Sequence, residues 1–169
     1  MRNLFFLVLL IILIIPVKAD VFEHKTTIEQ VLSEIPELES IKCRFKQERT
    51  VKNIQKPLVS NGNFEFKKGE GVYFETIYPV KSNVNYTNKN YKQINDVINA
   101  ISTKKYSKLE KEFDIFYEEE NNNWIIGLKP KNKNTSEVLS SIKIEGQDYI
   151  KKIEITQTNG NETKLWFIK

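Results

Sequence analysis

The residue types that most often carry catalysis are scarce in this chain of 169 residues. It contains one histidine, His24, and one cysteine, Cys43. A Ser-His or Cys-His nucleophile pair would depend on His24, which lies before the first predicted helix and on no predicted strand. A zinc site needs several His or Cys ligands, and neither residue type occurs twice. We therefore expect no catalytic residue and no metal site, and the sequence predicts that the protein is not an enzyme.

Other sources of chemistry are equally weak. Glu118–Glu120 is a run of three acids that could bind calcium, but such a run at a turn is more typical of a solvated loop. No Walker sequence, phosphate loop or dinucleotide-binding glycine pattern occurs, so no cofactor is expected. Cys43 lies in phase with the apolar residues of its strand, which favours a small buried hydrophobe over a reactive thiol.

What the chain offers instead is large apolar side chains at alternating positions. Three segments between Ile41 and Pro79 alternate apolar and polar residues, a period that indicates strands with one dry and one wet face. With two later strands they supply six candidates for one shared surface: Phe45, Phe64, Phe66, Phe74, Ile115 and Trp124. Taken singly, each of these residues is more typical of an ordinary core.

Two amphipathic helices are predicted to cover this surface. The first begins at a capping box that starts at Thr26 or Thr27 and ends before Pro36, and the second ends near Thr103. Their candidate lid positions are Ile28 and Leu32 in the first helix, and Ile94, Val97, Ile98 and Ile101 in the second. An amphipathic helix among strands needs an apolar surface to lie on, so we expect the second helix to cover the sheet and to be the element that moves.

The remaining pattern is that of short strands separated by turns. Gly62 is expected inside the second strand, where it would permit a bend or bulge. A fourth strand is predicted at Asn83–Thr87, a polar turn at Glu118–Asn123, and a type I′ turn at Asn159-Gly160 within a terminal meander. Many short strands with such turns favour an antiparallel barrel or curved sheet over a parallel α/β fold.

Three motifs follow one another in the first half of the chain: an F-x-Q strand, a G-x-F-x-F strand, and a glycine turn into G-(V/L)-x-(W/F)-E-T-x-x-P. They comprise Phe45, Gln47, Gly62, Phe64, Phe66, Gly71, Phe74, Glu75, Thr76 and Pro79. Their order and spacing resemble those of the LolA family of periplasmic lipoprotein carriers, and of its LolA-like branch in particular. The resemblance extends over essentially the whole chain after residue 19.

The resemblance implies an α+β, mainly β fold: an unclosed antiparallel β-barrel, or half-barrel, with short lid helices over an apolar cavity that takes acyl chains. The implied function is a monomeric carrier that shields the acyl chains of lipoproteins, or of other lipid-linked products, during transfer from the inner to the outer membrane. An inner-membrane exporter would be the donor and an outer-membrane protein the acceptor. The family also has a basic residue after the second strand that steadies the closed lid. Here that region carries Lys67 and Lys68.

Residues Met1–Ala19 have the pattern of a secretory signal peptide. Arg2 supplies the positive start, and Leu4–Ile15 is an unbroken apolar run. A membrane span needs about 20 apolar residues, and Pro16 ends this run earlier. We expect cleavage after Ala19, leaving residues 20–169 as a single LolA-like lipid-carrier domain in the periplasm of a Gram-negative bacterium.

Charged residues are interleaved rather than clustered. The net charge of +4 falls to +2 when Met1–Ala19 is removed, because that segment holds Arg2 and Lys18 and no acid. Mixed runs such as Lys67–Glu70 and Lys108–Glu112 are typical of a solvated surface, so no nucleic-acid partner is expected. Two alternatives to the carrier stay open: a lipid-sensing or partner-binding module without a transport role, and a β-protein whose packed core takes no ligand.

Overall fold

A computed structural model describes residues 20–23, 25–38, 40–68, 70–84 and 92–169. The predicted signal peptide, His24 and the second part of the predicted strand Asn83–Thr87 lie outside these residues. The strands are β1 Ile41–Thr50, β2 Leu58–Lys67, β3 Gly71–Tyr78, β4 Ser82–Val84, β5 Phe113–Glu120, β6 Asn123–Pro130, β7 Leu139–Gly146, β8 Ile150–Gln157 and β9 Glu162–Ile168. The helices are α1 Ile28–Glu34, α2 Lys92–Ser102, α3 Ser107–Glu112 and α4 Lys133–Ser136, with a 3₁₀ turn at Val21–Glu23.

The nine strands form one antiparallel sheet in the order β4-β3-β2-β1-β9-β8-β7-β6-β5. The edges of the sheet are the three-residue β4 and the eight-residue β5, and no pairing between them joins the described strands into a closed barrel. β9 lies at the centre, paired with β1 on one side and β8 on the other. The predicted fold, a mainly β unclosed antiparallel sheet with short helices, is confirmed.

Alternation along the strands divides the sheet into two faces. Phe45 of β1, Phe64 of β2 and Ile144 of β7 are buried in one continuous core together with residues of α1, α2 and α3. We call the side that they occupy the inner face. The residues between them on each strand, such as Lys46 and Glu65, point to the outer face, where most of the charged side chains lie. No described helix has the length and hydrophobicity of a membrane span.

Gly62 allows β2 and β3 to approach closely at a bulge. The strand register shifts between Asn61 and Gly62, so that Asn61 pairs with Tyr78 and Gly62 with Thr76. A Cβ atom at Gly62 would lie 1.8 Å from the carbonyl oxygen of Glu75, a distance that no side chain could occupy. The prediction of a glycine-dependent bend inside the second strand is confirmed.

Two predicted turns are wrong in detail. β5 continues through Glu118–Glu120, which pair with β6, and the turn consists of Asn121 and Asn122 alone. Both asparagines have positive φ, as a tight hairpin turn requires. Between β8 and β9, Gly160 has φ +84°, whereas Asn159 is not among the described residues with positive φ. The loop there spans four residues and is therefore not the predicted type I′ turn.

A small second cluster lies on the outer face at β5 and β6. Val21 and Phe22 of the 3₁₀ turn pack there against Phe116 and Ile125. Gly127 of β6 makes room for them, because a Cβ at that position would lie 2.7 Å from the Phe22 ring. The chain then reaches the edge of β5, where the Thr26 amide donates a hydrogen bond of 3.1 Å to the Ile115 carbonyl. This N-terminal segment, residues 20–26, thus connects the outer face to α1.

Candidate functional site

The aromatic candidates meet on the half of the sheet formed by β1–β4, which we call the aromatic half. The ring centroids of Phe64 and Phe74 are 4.9 Å apart, and those of Phe45 and Phe74 are 5.3 Å apart. Phe167 of β9 joins them with its centroid 4.4 Å from that of Phe64. All four rings are buried. The structure therefore brings these predicted residues together and adds Phe167, which alternation along β9 could have indicated.

The other three candidates occupy different places on the inner face. Phe66 is buried near the end of β2, whereas Ile115 and Trp124 belong to β5–β8, the aliphatic half. The indole of Trp124 donates a hydrogen bond of 2.7 Å to the Gln147 carbonyl and lies over Gly146, where no Cβ would fit. The other inner-face residues of this half are mainly branched aliphatics: Ile126, Leu128, Ile142, Ile144 and Ile153.

The two predicted helices cover the inner face. α1 begins at a capping box in which Thr27 and Gln30 satisfy each other's backbone amides, as predicted. α2 is in contact with β3, and its Val97, Ile98 and Ile101 are all buried in the core. The side chains of Ile28, Leu32 and Ile94 lie outside the described structure. That any of these residues forms a moving lid stays a prediction.

One small apolar pocket, the α2 pocket, has an open volume of about 280 Å³ including its mouth, and room inside for about one water molecule. Its lining includes Phe64 and Phe66 of β2, Phe167 of β9, Ile98 and Ser102 of α2, and Tyr149 before β8. Pockets that bury small ligands have volumes of about 300–1,000 Å³, so the α2 pocket by itself is too small for such a ligand.

Ser102 is the one polar residue buried on the inner face among the described residues, with 1% of its surface exposed. Its hydroxyl oxygen has no hydrogen-bond partner in the part of the chain that the structure describes. Leaving a buried hydroxyl unsatisfied costs about 1–3 kcal/mol. Sequence reasoning did not single out Ser102, although its spacing could have indicated its burial: Ser102 follows Ile98 by four positions and so continues the apolar stripe of α2.

Of the two lysines at the end of β2, Lys68 connects the sheet to the segment that follows α1. The ammonium group of Lys68 lies 2.6 Å from the Glu37 carboxylate, and the Lys68 amide donates to the Ser40 hydroxyl at 3.1 Å. The hydrogen bond from Lys68 lowers the pKa of Glu37. Lys67 instead lies 3.4 Å from Glu70 on its own turn. Of the two lysines, Lys68 therefore holds the position that a latch would need.

Titratable groups on the inner face are held in their neutral forms. Burial raises the pKa of the Cys43 thiol, so the reactive thiolate is scarce. Burial also raises the pKa of Tyr106, between α2 and α3, to about 12. Among the described residues, no group of three His, Cys, Asp or Glu side chains could hold a metal ion. The described part of the inner face therefore offers apolar contact, the unpaired hydroxyl of Ser102, and the phenol of Tyr106, which donates to the Ile101 carbonyl.

A larger groove lies on the outer face and has a different character. Its open volume is about 810 Å³, and Lys143, Glu145, Lys152 and Glu154 line it with alternating charges from β7 and β8. Neighbouring charges of opposite sign neutralise one another, and the groove offers little apolar surface. We therefore place the candidate site on the inner face despite the smaller volume there.

A model of the family described as "Outer membrane lipoprotein carrier protein LolA" matches residues 36–169. The chain belongs to the LolA family. That family is one of carrier proteins associated with lipoprotein cargo, and this LolA-family chain matches it over all nine strands. No curated protein sequence matches the chain significantly.

Two solved structures of this group are similar to the chain at low sequence identity. One is a domain from Vibrio parahaemolyticus, provisionally described as an outer membrane lipoprotein-sorting protein, with 10% identity and a TM-score of 0.39. The match covers 89% of this chain and 92% of that one. The other is a LolA superfamily protein from Nitrosomonas europaea, with 7% identity, a TM-score of 0.35, and coverage of 85% and 92%.

Proposed function

We propose that this protein is a periplasmic carrier that shields the acyl chains of lipoproteins, or of other lipid-linked products, between the inner and outer membranes. In this proposal the chain is exported by a signal peptide at Met1–Ala19 and acts as a monomer. It receives its cargo from an inner-membrane exporter and delivers it to an outer-membrane acceptor. It performs no catalysis and needs no cofactor, because acyl chains bind by burial alone.

One observation carries the proposal: in a LolA-family chain, an amphipathic helix rather than a second sheet covers the aromatic half. α2 rests on the core through Val97, Ile98 and Ile101. A single helix can swing away while the sheet keeps its hydrogen bonds. Removal of α2 would leave a surface of phenylalanine rings, which suits flexible hydrocarbon chains of no fixed shape.

The energies allow such an exchange. Exposing the three side chains of α2 costs about 1.5–3 kcal/mol each, or about 7 kcal/mol in total. Each methylene group of a buried acyl chain contributes about 0.8 kcal/mol, so about ten methylenes offset the opening. One ordinary acyl chain is longer than that. The lid can therefore open for cargo and close again after release without any covalent step.

The small size of the α2 pocket favours one competing function, that of a β-protein with a packed core and no ligand. The two differ in what the protein contains after purification. We would isolate the mature protein from periplasm without detergent and examine it by native mass spectrometry, then by solvent extraction. We expect a stoichiometric acyl-bearing ligand. A ligand-free mass, with no uptake of an offered diacyl lipid or lipopeptide, would exclude the carrier.

A pair of matched variants locates the binding surface. Phe64→Leu removes an aromatic ring from the inner face, and Phe116→Leu removes one from the outer cluster. An aromatic contact contributes about 1 kcal/mol, so we expect lipid affinity to fall about fivefold in Phe64→Leu and to stay unchanged in Phe116→Leu. Equal affinities in the two variants would place the lipid somewhere other than the inner face.

A further inference from the structure

The hydroxyl of Ser102 differs from other hydroxyls on the helical turns of this protein. Ser33 and Ser136 donate to carbonyls three residues earlier, and Thr103 donates to the Asn99 carbonyl at 2.7 Å. Each of these hydroxyls donates its hydrogen bond to a backbone carbonyl of its own helical turn. Ser102, one residue before Thr103, has the same opportunity, yet its hydroxyl oxygen is buried and has no partner among the described residues. The difference indicates a hydroxyl that is left for a partner which the described residues do not supply.

The surroundings of Ser102 limit what that partner can be. Ser102 lines the α2 pocket together with Phe64, Phe66, Ile98 and Phe167, and no lining residue is charged. Apart from Ser102, the one lining residue with a polar side-chain atom is Tyr149. A bound water molecule typically makes about three hydrogen bonds, so these two hydroxyls alone would leave it incompletely satisfied. A carboxylate would be buried there without a cation, at high cost. The pocket therefore suits a neutral acceptor attached to hydrocarbon.

We propose that the Ser102 hydroxyl donates a hydrogen bond to the carbonyl oxygen of a neutral acyl group, an ester or an amide, whose alkyl chain lies along Phe64, Phe66 and Phe167. This inference rests on the proposed carrier function and adds to it a chemical selection. The site distinguishes esterified or amidated acyl chains from free fatty acids and from alkyl ethers. A hydroxyl can donate one hydrogen bond, and a carbonyl oxygen accepts hydrogen bonds but cannot donate one, so the two groups are complementary.

The position of Ser102 connects this contact to opening of the lid. Ser102 is the last residue of α2, next to the turn that leads through Tyr106 into α3. A ligand that opens the helix therefore meets the hydroxyl at the end that stays connected to α3. The carbonyl would be held there while the alkyl chain takes the place of Ile98 against the rings.

The test compares the binding of an ester ligand with that of its ether analogue, on the wild type and on Ser102→Ala. The ligands are a synthetic diacylglyceryl-cysteine peptide and its dialkyl ether analogue of equal chain length, and a diacyl phospholipid with its ether analogue forms a second arm. A net hydrogen bond changes affinity by about two- to tenfold. We expect the wild type to prefer ester over ether by that factor. We expect Ser102→Ala to lose the preference through weaker ester binding, with ether binding unchanged. A preference in only one arm would identify the source of the acyl group.

Thr103→Val is the matched control, because it removes a neighbouring hydroxyl that already has a partner. It should keep the preference for the ester. The ligand-free Ser102→Ala protein should melt at the same temperature as the wild type or higher, since it loses an unsatisfied buried group. A lower melting temperature would show that the hydroxyl has a partner within the protein, and the inference would be wrong.

The remaining outcomes separate this inference from the carrier function. Wild-type protein that binds ester and ether lipids equally would overturn the role of Ser102 and leave the carrier intact. Wild-type protein that binds neither lipid would overturn both. Free fatty acid that binds more tightly than the ester would also contradict the inference, because the pocket has no cation for a carboxylate.

Discussion

The apolar inner face of the sheet is covered differently in its two halves. The aromatic half, β1–β4, presents phenylalanine rings in tilted and edge-to-face contact to α2, and the α2 pocket lies between the rings and the helix. The aliphatic half, β5–β8, presents mainly branched residues, and its outer side is also covered, by the N-terminal segment over Gly127. Among the described residues, one helix covers the aromatic half, whereas the aliphatic half is covered on both faces.

The difference suggests a division between a part that moves and a part that anchors. Aromatic rings offer broad, flat contacts that a variable hydrocarbon chain can replace. Branched aliphatics interlock closely, so that any change of volume is felt. Backbone and ionic contacts of the N-terminal segment connect β5 to α1, whereas α2 is followed by a turn into α3. We therefore expect opening to occur at α2, and four predictions test that division.

The largest effect is expected where the two strands of the aromatic half approach most closely. In Gly62→Ala the new Cβ would lie 1.8 Å from the Glu75 carbonyl oxygen and 2.9 Å from the Thr76 Cα, both backbone atoms. Relief requires β2 and β3 to separate, so we expect the free energy of unfolding to fall by about 4 kcal/mol or more. Urea denaturation would measure the loss. Wild-type stability would mean that the bulge is not needed.

The next largest effect is expected when one core residue from each half is replaced by alanine. Leu128 of β6 and Ile98 of α2 are both buried, and truncation of either to alanine should cost about 3 kcal/mol of unfolding free energy. Hydrogen exchange distinguishes the two variants. Ile98→Ala should accelerate exchange selectively in α2, whereas Leu128→Ala should accelerate it throughout the sheet. If both variants affect α2 equally, the helix does not open as a separate unit.

A smaller effect is expected at the anchor. In Gly127→Ala the new Cβ would lie 2.7 Å from the Phe22 ring and 3.1 Å from Val21, so the N-terminal segment must move. We expect a loss of about 1–2 kcal/mol and faster proteolysis near Phe22, with lipid binding unchanged. Gly160→Ala is the control. It has no neighbour within 4 Å but has φ +84°, so it should lose similar stability without exposing the segment.

The smallest effect is expected from loss of an ion pair between the N-terminal segment and β5. Lys25 lies 2.8 Å from Asp114, and its hydrogen bond lowers the pKa of Asp114 below the ordinary 3.8. A lowered pKa in the folded state means that the stabilisation is complete above about pH 4 and is lost as the pH falls through the folded pKa. Asp114→Asn should therefore cost about 0.5 kcal/mol at pH 7 and nothing at pH 2.

Urea unfolding at both pH values, with Lys25→Met to complete a double-mutant cycle, measures this pair. High salt should reduce the difference at pH 7, because both side chains are partly exposed. A cost that persists at pH 2 would mean that Asp114 acts through packing rather than through its charge.

Local patterns predicted those parts of the fold in which one interaction dominates. Alternation placed Phe45 and Phe64 on the inner face because burial decides which side of a strand is dry. The capping box at Thr27 and Gln30 marked the start of α1, because its two hydrogen bonds are made within four residues. Gly62 marked a close approach of two strands, since a glycine is what such an approach requires.

The misplaced features depend on partners distant in sequence. Glu118–Glu120 look like a loop, yet pairing with β6 extends the strand through them. α3 has a single buried residue, Leu109, so it has no periodicity to detect. The α2 pocket is built from five separate parts of the chain, and Ser102 stands out only when its neighbours are known. Local sequence therefore predicts faces and caps, whereas the pocket requires the assembled sheet.

The central place of β9 has a consequence for how the chain reaches its native state. β1–β4 and β5–β8 are each continuous in sequence, but they become one sheet only when β9 inserts between β1 and β8. Arg44 then pairs with Ile168, about 120 residues away. Pairing over such a separation is slow, and it cannot begin until residues 162–168 are available. Because β9 is the last of the described strands in the sequence, the two sets of strands can form only separate sheets until β9 has been added, and its pairing then completes the single sheet.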